Sequence, residues 1–168
     1  MSYLQHKKET PSAISCKVIT VSDTRTDETD KSGQTIMRLL KENGHETAVY
    51  EIVKDEADSI RRSVLSGLEE AHIDAIILNG GTGVAPRDVT IETITPLLDK
   101  ELPGFGEIFR MLSYQEDIGP GAILSRAAAG TAGGKAVFSC PGSTGAVRLA
   151  MNKLILPELG HIIRELKK

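Results

Sequence analysis

Short β-branched and apolar runs alternate along this chain with stretches of helical periodicity, and that alternation restricts the fold more than any other feature. Cys16-Lys17-Val18-Ile19-Thr20-Val21 reads as a buried strand. A long polar connection from Ser22 to Lys31 leads to a helical face of Ile36, Met37, Leu39 and Leu40, which Asn43-Gly44 stops. Thr47 to Val53 alternates as a second strand, and Ile60, Val64, Leu65 and Leu68 mark a second helix. Ile73 to Leu78 is a third strand, after which Asn79-Gly80-Gly81-Thr82-Gly83 turns the chain sharply. A helix from about Thr90 is bent or ended by Pro96, and Gly104 to Tyr114 is helical, with Ile108, Phe109, Met111 and Leu112 on one face. Gly119-Pro120-Gly121 reads as a turn, and Ala122 to Gly134 has no clear period. Lys135 to Cys140 is a strand, and Pro141-Gly142-Ser143 turns into a long last helix that reaches Leu166 and is kinked near Pro157.

The expected architecture is an α/β fold, a three-layer α/β/α sandwich around a mostly parallel sheet. Residues 15–168 form its single domain. The polar residues 1–14 are expected to be a flexible arm, or one that packs on a neighbouring subunit. A length of 168 residues suits one domain with a substantial core. With 40% hydrophobic residues, 26% charged residues and a net charge of -3, nothing points to disorder or to nucleic acid. No apolar run is long enough for a membrane, and the first residues lack the apolar segment of a signal peptide. Cys16 and Cys140 sit in apolar runs and read as buried free thiols, and the four histidines have no metal-ligand spacing. A cytoplasmic protein is expected.

In an open parallel sheet the carboxyl ends of the strands share one edge, where ligands bind. The segments expected there are Ser22-Asp23-Thr24, Lys54-Asp55-Glu56, Gly80-Gly81-Thr82-Gly83 with Asp88, and Pro141-Gly142-Ser143. Each has a plain reading beside a functional one. The glycine loop is a tight turn, or a nest of backbone N–H groups for an anion. Ser143 caps a helix, or stands at a phosphate site made by the helix start. Asp55 and Asp88 cap helices or serve a site; Asp58 is the better-placed cap for the second helix, which leaves Asp55 freer. Asp88 could also be half of an ion pair with Arg87. Asp23 and Asp27 could be solvated loop carboxylates, and Arg126 a surface arginine.

At these residues the chain resembles the MogA/MoaB family of molybdenum-cofactor biosynthesis proteins, related to the G domains of molybdopterin-activating proteins such as gephyrin. The matching stretches are Thr20-Val21-Ser22-Asp23, Asp30-Lys31-Ser32-Gly33, Gly80 to Gly83 with Pro86-Arg87-Asp88-Val89-Thr90-Ile91-Glu92, Pro103-Gly104-Phe105-Gly106-Glu107, Leu124-Ser125-Arg126 and Pro141-Gly142-Ser143. The run Phe109-Arg110-Met111-Leu112-Ser113, with Ser125-Arg126-Ala127 after it, is most similar to the MoaB branch. The resemblance implies a trimer or hexamer that binds molybdopterin and adenylylates it with ATP and Mg²⁺, releasing pyrophosphate ahead of molybdate insertion. It implies Asp55 and Asp88 as catalytic carboxylates and metal ligands. It implies substrate binding by Ser22, Asp23, Gly80, Gly81, Thr82, Gly83, Glu92, Ser125, Arg126, Pro141, Gly142 and Ser143. A non-catalytic molybdopterin-binding or carrier protein of the same pathway is the alternative, and other enzymes of the pathway are possible partners.

Overall fold

The computed structural model describes residues 2–4 and 13–168, so most of the expected N-terminal arm lies outside the described residues. The strands are β1 (Ser15–Val21), β2 (Glu46–Val53), β3 (Ala75–Asn79), β4 (Lys100–Glu101), β5 (Ala128–Ala132) and β6 (Lys135–Cys140). The helices are α1 (Lys31–Glu42), α2 (Ala57–Glu69), α3 (Thr90–Ile94), α4 (Pro103–Glu116), α5 (Thr144–Ala150) and α6 (Leu156–Leu166). The sheet order is β2-β1-β3-β6-β5-β4. The first four of these run parallel, β5 is antiparallel to β6, and β4 is antiparallel to β5.

Alternation along the buried strands separates two cores. Cys16 and Val18 of β1, Ala75 and Ile77 of β3, and Phe138 of β6 pack with Ile36 and Leu40 of α1, Phe109 of α4, and Val147 and Leu159 of α5 and α6. Ile19 and Val21, Ile76 and Leu78, and Val137 pack on the other side with Ile60 and Val64 of α2 and Ile94 of α3. Helices thus cover both faces, giving the expected three-layer sandwich. Ile14, just ahead of β1, is fully buried in the first core. No helix among the described residues is long and apolar enough to cross a membrane. Both cysteines are free and buried, and burial pushes each thiol up to about 12.

The amino ends of the strands are tied by polar contacts. Asp74, just ahead of β3, accepts from Ser15 N at 3.1 Å and pairs with Lys167 at 3.0 Å. Lys135, at the start of β6, is nearly buried and donates to the carbonyls of Ile73, at 2.5 Å, and Glu70. Lys17 of β1 is buried beneath α2, where it donates to Ser63 O at 2.7 Å and pairs with Glu51 at 3.3 Å.

Several details differ from the sequence reading. The Gly119-Pro120-Gly121 turn begins a 3-10 helix over Gly119–Leu124. The unread stretch beyond it holds β5, which Gly133 and Gly134 join to β6 with φ of 56° and 76°. The pair supplies the left-handed residues of a two-residue hairpin turn. The last helix passes through a π-helical turn, Met151–Ile155, which ends two residues before Pro157. Asp58 does not cap α2: the cap position is Glu56, and Asp58 instead lies in the first turn and accepts from Arg61 at 3.4 Å.

Candidate active site

The carboxyl ends of β1, β2, β3 and β6 open onto one cleft of about 640 Å³. It brings together Ser22, Asp23, Asp55, Gly80, Gly81, Thr82, Gly83, Asp88, Ser125, Pro141, Gly142 and Ser143. Glu92 and Arg126 are not in its lining. They pair with each other on the outer side of the glycine loop, beside Val84 to Asp88.

The glycine loop takes its shape from its carbonyl groups. Thr90 donates its hydroxyl to Gly80 O at 2.9 Å and its amide to Gly81 O at 3.1 Å. Arg126 donates its amide to Thr82 O at 3.1 Å and its Nε to Gly83 O at 2.9 Å. The same guanidinium reaches Asp88 O at 3.0 Å. All four loop carbonyls are therefore satisfied from behind. The amides of Gly81, Thr82 and Gly83 have no acceptor among the described residues. Consecutive backbone donors left open in this way can serve as an anion-binding nest. Gly80 and Gly81 stand at φ of 100° and 69°, a region that β-carbons disfavour.

Across the cleft, Ser143 caps α5 by accepting from Ala146 N at 3.2 Å. The capping reading of its side chain is correct, and its backbone N–H remains independent of that role. Ser143→Ala is expected to lower the unfolding free energy by about 1 kcal/mol, the usual loss on removing an N-cap, as a shift in denaturation midpoint.

The carboxylates differ in their surroundings. Asp23 receives both Nε and Nη2 of Arg87, at 2.7 and 2.9 Å, and this guanidinium holds its carboxyl below the usual range. Arg87 thus pairs with Asp23 and not with its neighbour Asp88. Asp88 accepts from Ala85 N at 3.0 Å, which braces its own loop, and it does not cap α3, whose cap position is Val89. The Asp55 carboxylate has no hydrogen-bond partner among the described residues, although its amide donates to Asp23 at 3.1 Å. It lies over the glycine loop, 3.3 Å from where a β-carbon on Gly81 would stand. Burial pushes its carboxyl up, and the charges of Asp23 and Asp88 push it further. Negative charge is in excess here, and a cation would relieve it. No group of three or more potential metal ligands exists among the described residues, so a cation held here would draw on Asp55 and Asp88 and on its own ligands.

The sequence reading missed Arg25 and Asp117, which also line the cleft, and an apolar wall of Phe109, Ile118 and Leu124. Arg25 was in principle findable, being two residues beyond Asp23 in a connection too long for its structural task. Asp117 gave no local signal, because only the packing of α4 beside β5 and α5 carries it to the cleft.

Residues 17–161 match the family model described as "Probable molybdopterin binding domain". The chain is 66% identical over 168 residues, covering 100% of it and 99% of the relative, to molybdenum cofactor biosynthesis protein B of Bacillus subtilis (strain 168). Its structure superimposes on a crystal structure of molybdenum cofactor biosynthesis protein B with a TM-score of 0.92 and 62% identity, covering 95% of this chain and 99% of that one. It superimposes on the tungsten cofactor synthesizing protein MoaB of Pyrococcus furiosus with a TM-score of 0.84 and 37% identity, covering 94% and 99%. With the fold, the strand-end cleft and these matches in agreement, the chain belongs to the MogA/MoaB family of molybdenum cofactor biosynthesis proteins, in its MoaB branch.

Proposed function

We propose that the cleft binds molybdopterin and Mg-ATP and transfers AMP to the terminal phosphate of the pterin. The observation that carries this reading is the run of amides at Gly81, Thr82 and Gly83 beside the carboxylate of Asp55, none of which has a hydrogen-bond partner among the described residues. A phosphate suits the first and a hard cation the second. In the reaction an oxygen of the pterin phosphate forms a bond to the α-phosphorus of ATP. The bond from that phosphorus to the bridging oxygen breaks, and pyrophosphate leaves with the electron pair. The nucleophile is already ionised at neutral pH, so the chain need not supply a general base. Its work is to align two anions and offset their repulsion. The glycine-loop amides and the backbone amide of Ser143 would hold phosphate oxygens. Asp55 and Asp88 would hold Mg²⁺, directly or through water, and the ion when bound supplies charge neutralisation on the phosphates. Arg126 and Glu92 would act from outside, by keeping the loop carbonyls turned away.

The test is mass spectrometry after mixing purified protein, molybdopterin, ATP and Mg²⁺. Adenylylated molybdopterin and pyrophosphate are the expected products. The second reading is a non-catalytic molybdopterin carrier, which the same cleft and nest would also serve. Protein that retains the pterin but forms no product would establish it. In either case a homo-oligomer, trimer or hexamer, would cover exposed apolar side chains such as Ile108, Met111 and Ile123.

Asp55 also carries a stability prediction. Its folded pKa is raised, so ionised Asp55 disfavours the native state. This penalty is absent below the unfolded value, near 3.8, develops as pH rises through the higher folded value, and is complete at neutral pH. Asp55→Asn should therefore melt above wild type at pH 7 without Mg²⁺, an advantage that vanishes near pH 3. Added Mg²⁺ should stabilise the wild type and not the variant. A variant that melts below wild type at pH 7 would refute the assignment of Asp55 as a strained, unpaired charge.

A further inference from the structure

Among the described residues that line the cleft, four are carboxylates, Asp23, Asp55, Asp88 and Asp117, and Arg25 is the one cation. Its guanidinium is held in place from three directions. Nη1 faces Asn79 Oδ1 at 3.3 Å and the fully buried Asp30 at 3.5 Å, and Nη2 donates to Gly142 O at 2.7 Å. An arginine has five N–H groups. These three acceptors leave Nε and the second hydrogen of Nη2 without a partner among the described residues, on a side chain that is 30% exposed.

The buried Asp30 carboxylate accounts for a positive charge at this position, but not for the guanidinium's open donors. Gly142 O already accepts from Ser32 Oγ at 2.6 Å, so the turn after β6 is tied down by a neutral donor. Asp30 already accepts from Gly33 N at 3.0 Å and Tyr50 OH at 2.5 Å. Neither group needs a guanidinium for hydrogen bonding alone. A fixed, permanently charged fork with open donors at the wall of an acidic cleft also fits an anionic ligand. We propose that Arg25 binds a phosphate oxygen of the substrate through its two remaining N–H groups. This rests on the reading of the cleft as a site for phosphate-bearing substrates.

The experiment measures affinity for inorganic pyrophosphate by calorimetry, with thermal melting of the same samples. Arg25→Gln, which keeps a donor for Gly142 O but loses the charge, should weaken pyrophosphate binding at least about tenfold. Arg25→Lys, which keeps the charge but not the fork, should fall in between. Ser32→Ala removes the neutral donor to the same carbonyl and should leave affinity within about twofold. A tenfold loss from Ser32→Ala as well would reduce Arg25 to a support for the Gly142 turn and overturn the inference. So would unchanged affinity in Arg25→Gln, or, if that variant does not fold, in Arg25→Lys. A wild type with no pyrophosphate affinity at millimolar concentration would also end it. If Arg25 proves essential for pyrophosphate binding while the wild type forms no adenylylated pterin, adenylyl transfer fails and the role of Arg25 stands.

Discussion

Asp88→Asn is expected to reduce Mg²⁺-dependent AMP transfer by about three orders of magnitude or more, because charge neutralisation is the main catalytic contribution asked of this residue. The fold should scarcely register the change. The contact that Asp88 makes in its own loop is an accepted hydrogen bond from Ala85 N, which an asparagine oxygen can also accept. The expected stability change is about 1 kcal/mol or less. Pterin affinity should persist, since the nest and Ser143 are untouched. Melting temperature, pterin affinity and AMP transfer measured on one preparation separate the possibilities. A variant that melts much earlier yet still transfers AMP at nearly the wild-type rate would make Asp88 a loop brace and nothing more.

Gly81→Val should do the reverse, damaging the site through the backbone. Gly81 sits at φ 69°, and a β-carbon there would lie 2.2 Å from Thr90 Oγ1. Thr90 would have to move, releasing its bond to Gly80 O, and the loop would lose the geometry that opens its amides. Strain and clash together should cost about 2–4 kcal/mol of stability. ATP affinity should drop by about a hundredfold or more, while Ser143→Ala, which keeps its amide, should stay within about threefold of wild type. Calorimetry with ATP measures both, and circular dichroism shows whether each variant is folded. Equal losses from the two substitutions would contradict binding through backbone amides.

The parallel half of the fold was legible because its strands are β-branched and its helices amphipathic, so local pattern and burial agree. The edge was not. β5 is Ala-Ala-Gly-Thr-Ala, with little intrinsic strand preference, and it becomes a strand because β6 and β4 flank it. Gly130 is close enough to Lys100 O that a β-carbon would lie 2.4 Å from it, a constraint that no local pattern reports. The adjacent Gly133-Gly134 was the available signal, as a two-residue hairpin turn ahead of a confident strand.

The candidate site shows the same division. Its loops could be placed because strand ends converge in any parallel sheet. The pairings inside it could not, since Arg87 reaches back to Asp23 and Arg126 to Gly83 across long stretches of chain. Arg126 could be read as a surface arginine or, from the resemblance, as a substrate-binding residue, whereas its bonds to the loop carbonyls carried no local signal. Asp55 was correctly expected to be free, but through a cap at Asp58 that does not form.

The ties at the amino ends of the strands bear on how such a protein can change over time. Asp74 and Lys135 fasten the sheet at the rim opposite the cleft, and Lys17 anchors α2 from within. Side chains that tie the strand starts and side chains that line the cleft are thus largely different sets at different ends of the same strands. Carboxylate substitutions at the cleft, away from the glycine loop and the Ser143 cap, can then be sampled with limited risk to folding, and those at the far rim with limited risk to the cleft. A scaffold divided in this way is well suited to change what its cleft accepts through a handful of loop substitutions.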